Sequence, residues 1–112
     1  MKRLRCLVDM GASFNLIDAK AAVGINTIEI NPVTIRSGLE RQGHKCNKAI
    51  YTRLTVSEVF RIAKFTALIQ DLYSKTFDMI IGNQILCDCT IFGNGKYNEP
   101  TLMIDAVIKK NL

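Results

Sequence analysis

One carboxylate in this chain stands out by its setting. Asp9 ends the apolar stretch Leu4-Arg5-Cys6-Leu7-Val8 and is followed two residues later by a glycine, in the run Asp9-Met10-Gly11-Ala12-Ser13. A strand that runs straight into a glycine turn holds its terminal acid in a fixed place, and Gly11, with no side chain, lets its backbone N–H approach that acid. One chemistry open to a fixed carboxylate, where a second stands opposite it, is amide hydrolysis. One group must take a proton from water while another polarises the carbonyl, and two carboxylates that share a single proton do both, because like charges so close cannot both ionise. The chain holds one Asp-x-Gly, so the pair requires two copies related by a two-fold axis, with Asp9 facing its twin. The bland alternative is a plain turn, since Asp and Gly are both turn formers.

The other chemistry-bearing residues form weaker patterns. His44-x-Cys46 and Cys87-x-Cys89 offer four zinc-capable side chains, but neither pair has the two-residue spacer of zinc knuckles. No metal and no cofactor is therefore assigned. The net charge is +5, and the segment from Arg36 to Lys64, with seven cations against two acids, carries the whole surplus. Such a segment is either a solvated strand face or an attractor of acidic peptides or nucleic acid. Tyr51, Phe60 and Phe65 read as core or strand residues rather than as the interleaved aromatics of a nucleic-acid motif, so nucleic acid is not assigned as a partner.

Positioning Asp9 falls to a series of short strands. After the first of them, Ile17 to Val23 has helix formers with Gly24 at the capping place, which predicts a helix of about two turns. Ile28 and Ile30 share a strand face, and Val33-Thr34-Ile35 forms a further strand. Ser37-Gly38 and Gln42-Gly43 supply the turns of a hairpin returning through 49–56. Residues 59–69 favour a strand, as does Phe77-Asp78-Met79-Ile80-Ile81, stopped by Gly82; Asn83 caps a short helix over 84–87. Thr90-Ile91-Phe92, Gly93-Asn94-Gly95 and Thr101-Leu102-Met103-Ile104 read as a terminal hairpin. About seven strands and two short helices make an all-β fold, a closed or nearly closed antiparallel barrel or sandwich, in one domain over residues 1–112. A length of 112 residues with 48% hydrophobic content fits one domain of about 100–150 residues, too small for a deep cleft without a second subunit. No secretion signal and no apolar run of membrane-spanning length is visible, and reduced thiols in an intracellular setting are expected.

Cys6-Leu7-Val8-Asp9-Met10-Gly11-Ala12-Ser13-Phe14-Asn15 resembles the active-site signature of the retropepsins, the aspartic proteases of retroviruses and retrotransposons. Asp78-Met79-Ile80-Ile81-Gly82-Asn83-Gln84-Ile85-Leu86 is similar to the apolar-apolar-Gly segment that packs behind their catalytic loop. The order of elements is most similar to gypsy-type retrotransposon proteases and to the DNA-damage-inducible proteins with a retroviral-like protease domain, over about residues 4 to 105. The resemblance implies a closed antiparallel barrel of the acid-protease type with one or two short helices and half a site per chain. It implies Asp9 as the catalytic residue, in a loop with Met10, Gly11 and Ala12, and Ile80, Ile81 and Gly82 as its support. Ile35, Arg36, Ser37, Gly38 and Leu39 take the place of the flap over an extended peptide. The implied protein is a homodimeric endopeptidase acting on polyprotein segments, without cofactor or membrane, in the cytoplasm or within a retroelement particle.

Two departures accompany the resemblance. Met10 stands where the family has Ser or Thr, whose hydroxyl hydrogen-bonds across the dimer axis; a thioether has no donor to replace it. Losing that bond opens a second reading, a catalytically impaired domain of the same fold used for dimerisation or peptide binding. The family also has a strand ahead of the one carrying Asp, and only eight residues precede Asp9 here. Either the chain is cut from a longer polyprotein, or that strand is absent, which would leave a sheet edge unpaired, while the terminal hairpin resembles the strands through which the relatives dimerise.

Overall fold

Alternation along the first strand separates inside from outside: Leu4, Cys6 and Val8 are buried while Arg3 and Arg5 are exposed, as the two-residue period of a strand requires. The computed structural model describes residues 2–9, 11–35, 43–57, 60–82 and 101–108. Seven strands lie among these residues: β1 (Lys2–Asp9), β2 (Leu16–Asp18), β3 (Thr27–Ile35), β4 (His44–Ser57), β5 (Phe60–Gln70), β6 (Met79–Ile81) and β7 (Thr101–Ile108). Their order in the sheet is β3-β4-β5-β2-β6-β1-β7, and β7 returns to β4 with Leu54 opposite Ile108 and Thr55 opposite Val107. Six strands thus close a barrel, and β3 lies outside the ring on β4. The ring is mixed rather than antiparallel throughout as expected, because β1 pairs with β6 and β2 with β5 in parallel. The fold is all-β, with no helix among the described residues.

Apolar side chains from every strand of the ring fill its interior. Leu4, Cys6 and Val8 of β1 meet Ile17, Ile50, Leu54, Phe65, Ala67, Met79, Ile81, Ala106 and Ile108 in one cluster. Phe65 is the largest of those almost wholly withdrawn from water, and burial of a side chain of this kind contributes about 1.5–3 kcal/mol. A second cluster, Ile35, Cys46, Ala49 and Leu68, forms on the opposite sheet face, joined by Phe14, Leu16, Ile28, Ile30 and Val33. Successive residues therefore fall into different clusters: Leu16 and Ile17, Ala49 and Ile50, Ala67 and Leu68. Strands covered on both faces read as continuous apolar runs rather than as alternation.

The structure corrects several expectations. The segment expected as a helix over 17–23 begins instead as a strand, because Leu16–Asp18 pairs with both β5 and β6. A helix this short has little stability of its own, and the ladder bonds outweigh it. What remains is a single turn, in which Ala22 N–H donates to the Asp18 carbonyl at 3.0 Å and Gly24 turns the chain at φ 84°. The Asp18 carboxylate caps it, accepting from the N–H groups of Lys20 and Leu72. The two strand pieces around Pro32 merge into β3, with a register shift between Glu29 and Val33 that accommodates a residue with no N–H. The edge beside Asp9 is not unpaired: β7 pairs antiparallel along all of β1, from Lys2 opposite Ile108 to Asp9 opposite Thr101. The helix over 84–87 and the first arm and tip of the terminal hairpin lie outside the described residues.

Burial first, then the charges of Asp78 and Asp105, push the Cys6 thiol up to about 12. Since the unfolded chain releases that proton from about pH 9, the group lowers stability as pH rises from 9 towards 12. Below pH 9 it has no such effect. Cys6 is accordingly expected to resist alkylation by iodoacetamide at pH 8 until the chain unfolds, as read by peptide mass spectrometry.

Candidate active site

Asp9 is the last residue of β1 and half-buried. Its position follows from the strand: Val8 is pinned between Ile81 of β6 and Leu102 of β7, and the chain turns immediately afterwards. Gly11 N–H donates to Asp9 Oδ1 at 2.9 Å, and Ala12 N–H donates to the Asp9 carbonyl at 3.1 Å. One oxygen of the carboxylate is thereby held by its own loop. A Cβ on Gly11 would lie 3.3 Å from that same oxygen, so a side chain there presses on the acid itself.

Beneath the loop lies Gly82, the residue after β6. A Cβ at this position would stand 2.5 Å from the Phe14 carbonyl oxygen and 2.8 Å from that of Ala12. The loop's backbone rests directly on the glycine. Gly82 N–H donates to Asn15 Oδ1 at 2.8 Å, Asn15 Nδ2 donates to the Thr66 carbonyl at 3.1 Å, and the Asn15 carbonyl accepts from Leu68 N–H at 2.8 Å. Asn15, itself buried, ties the loop to β5 on one side and to the end of β6 on the other.

Of the residues expected from sequence, Asp9, Gly11, Ala12, Ile80, Ile81 and Gly82 come together here. Ile81 faces the barrel interior opposite Val8, and Ile80 is half-buried on the other face opposite Leu7. Ile35 is buried in the second cluster at the end of β3. Met10, Arg36, Ser37, Gly38 and Leu39 lie outside the described residues. Asn15 is the positioning residue that reading the motif alone passed over. Its signal was a polar amide between Phe14 and Leu16, where the buried N–H of a glycine following an apolar strand needs an acceptor.

Replacing Asn15 by leucine leaves the Gly82 N–H and the Thr66 carbonyl without these partners, a loss of about 2 kcal/mol. Urea unfolding checks it. Asparagine to aspartate keeps the acceptor for Gly82 but removes the donor to Thr66, so it also destabilises.

The face of β1 that carries Asp9 also carries Leu7, and across the sheet Leu7, Ile80, Leu16 and Leu68 stand in register on β1, β6, β2 and β5. The first three are half-buried. They make an apolar row one alternate position along this face from Asp9, and its Leu16 and Leu68 end packs into the second cluster. The described cations of the basic middle segment, Lys45, Lys48, Arg53 and Lys64, are exposed along β4 and β5, as on a solvated strand face. Among the described residues, no group of three or more His, Cys, Asp or Glu could hold a metal ion, and no helix is long and apolar enough to cross a membrane. Comparison with protein-family models, with curated proteins and with solved structures returns no match.

Proposed function

We propose that this chain is an aspartic endopeptidase of the retropepsin type, acting as a homodimer on extended polyprotein segments inside the cell or a retroelement particle. The observation that carries the reading is the joint at the end of β1. There, a carboxylate oxygen is held at 2.9 Å by the N–H of Gly11, on a loop seated directly on Gly82. A hydrolytic carboxylate needs a fixed direction and a second carboxylate opposite, and the loop supplies the first of these. The row Leu7, Ile80 and Leu16 offers apolar side chains of a bound peptide a floor one alternate position along the face from Asp9. Water attacks the carbonyl carbon as one Asp9 takes its proton and the protonated Asp9 of the other subunit gives its proton to the carbonyl oxygen. The resulting diol then collapses, the first Asp9 passing its proton to the amide nitrogen as the C–N bond breaks and the second recovering one from a diol hydroxyl, leaving a carboxylic acid and an amine. In the proposed dimer the two subunits meet at the Asp9 end, which brings the two carboxylates together.

A second reading keeps the fold and gives up the chemistry. Met10 offers no hydroxyl to lock the two loops together, which suits a domain used for dimerisation or peptide binding. An assay with an unstructured protein at mildly acidic pH separates the two, comparing the parent chain with Asp9→Asn and Met10→Thr. Cleavage by the parent above the Asp9→Asn background supports the enzyme. Cleavage by Met10→Thr alone supports the second reading, and background from all three overturns the catalytic role of Asp9.

A further inference from the structure

A cleft of about 310 Å³ opens on the outer face of β1, bounded by Arg3 and Arg5, by Lys75 and Phe77 of the segment between β5 and β6, and by Asp78 and Asp105. Arg3, Arg5 and Lys75 are exposed, and none belongs to the basic middle segment of the sequence. The floor is held firmly. Arg5 N–H donates to Asp78 Oδ2 at 3.0 Å, the Arg5 carbonyl accepts from Asp78 N–H at 2.8 Å, and Asp105 is the ladder partner of Arg5 on β7.

Three cations against two carboxylates leave a surplus of one positive charge, and that balance selects among anions. A nucleic-acid strand carries a negative charge on every nucleotide, and the two acids of the cleft repel such an unbroken run of charge. Acidic side chains at alternate positions of an extended peptide lie about 7 Å apart, the spacing that separates Arg3 from Arg5 on one strand face. Phe77, half-buried, gives the aliphatic stem of a glutamate an apolar wall. Asp9, Leu7, Arg5 and Arg3 occupy the same face of β1, so the two arginines stand about 13 and 20 Å from the carboxylate.

We propose that this cleft is an exosite for an acidic peptide segment, engaging glutamate or aspartate about four to six residues from the scissile bond. In assigning the segment to a substrate the inference rests on the hydrolytic reading; the binding itself does not.

The test uses the full chain carrying Asp9→Asn, so that nothing is cleaved, and a fluorescein-labelled peptide of alternating glutamate and valine followed by fluorescence anisotropy. Saturable binding is expected, weakened about tenfold or more by Arg3→Ala with Arg5→Ala and again by Lys75→Glu, and absent for the peptide with lysine in place of glutamate. Lys75 lies between strands, so its variant keeps the test decisive should the double variant fail to fold by circular dichroism. Undiminished binding by a folded variant overturns the proposal. So does displacement of the peptide by a single-stranded oligonucleotide at lower concentration than by the unlabelled peptide. Peptide binding together with a parent chain that cleaves nothing supports the cleft while counting against the hydrolytic reading.

Discussion

Replacing Gly82 by alanine lowers the stability of the folded chain by about 4 kcal/mol, read as an earlier midpoint in urea and a Tm lower by about 20 °C. The reason is geometric. The new methyl would meet the Phe14 carbonyl oxygen at 2.5 Å, the Ala12 carbonyl oxygen at 2.8 Å and the Phe14 carbonyl carbon at 2.9 Å. All three are backbone atoms, and none can swing aside as the end of a side chain would. Relief requires lifting the whole turn, which breaks the bonds of Asn15 to Gly82 and Thr66. Gly11→Ala makes the informative control, because its methyl meets a side-chain oxygen at 3.3 Å that can shift a few tenths of an ångström. Its expected cost is below about 1 kcal/mol, yet it turns the carboxylate away from its position. The two glycines thus separate the loop's seat from the loop's aim. Equal losses of stability at the two positions would contradict this account.

The strands differ in how far local sequence specifies them. β1 and β6 are legible because each is a short apolar run ending at a glycine turn, and a place for β6 behind the Asp9 loop is what the resemblance implies. β2 is not. Leu16, Ile17 and Asp18 sit among helix formers, and the strand exists only because β5 and β6 lie on either side of it, a non-local condition that local propensity does not carry. The pairing of β7 along β1 was equally hidden, since the two strands stand at opposite ends of the chain and no turn signal links them. Within the site, Asp9, Gly11 and Gly82 were visible as residue types with a reason to be there. Asn15 has its reason only in the fold, as the acceptor for the buried N–H of Gly82. The arginines of the β1 cleft escaped a charge count that pointed to the middle of the chain, because local net charge ignores which residues share a face.

Asp9→Asn is expected to remove cleavage by about a thousandfold or more, near 4 kcal/mol in the barrier, without loss of fold, because asparagine keeps an oxygen for the Gly11 N–H. An autonomous site and a shared one both predict that loss. They part when the variant is mixed with the parent chain. If each site needs one Asp9 from each of two subunits, equilibration with an equal amount of Asp9→Asn chains lowers the parent's cleavage to about half. A threefold excess lowers it to about a quarter, since random pairing leaves fewer dimers with two carboxylates. Cleavage of an unstructured protein by a fixed amount of parent chain, measured across such a mixing series, is therefore the most direct test. A fall in proportion to the parent's share of chains is the predicted result, and cleavage that stays constant throughout would contradict a carboxylate pair built from two copies of Asp9.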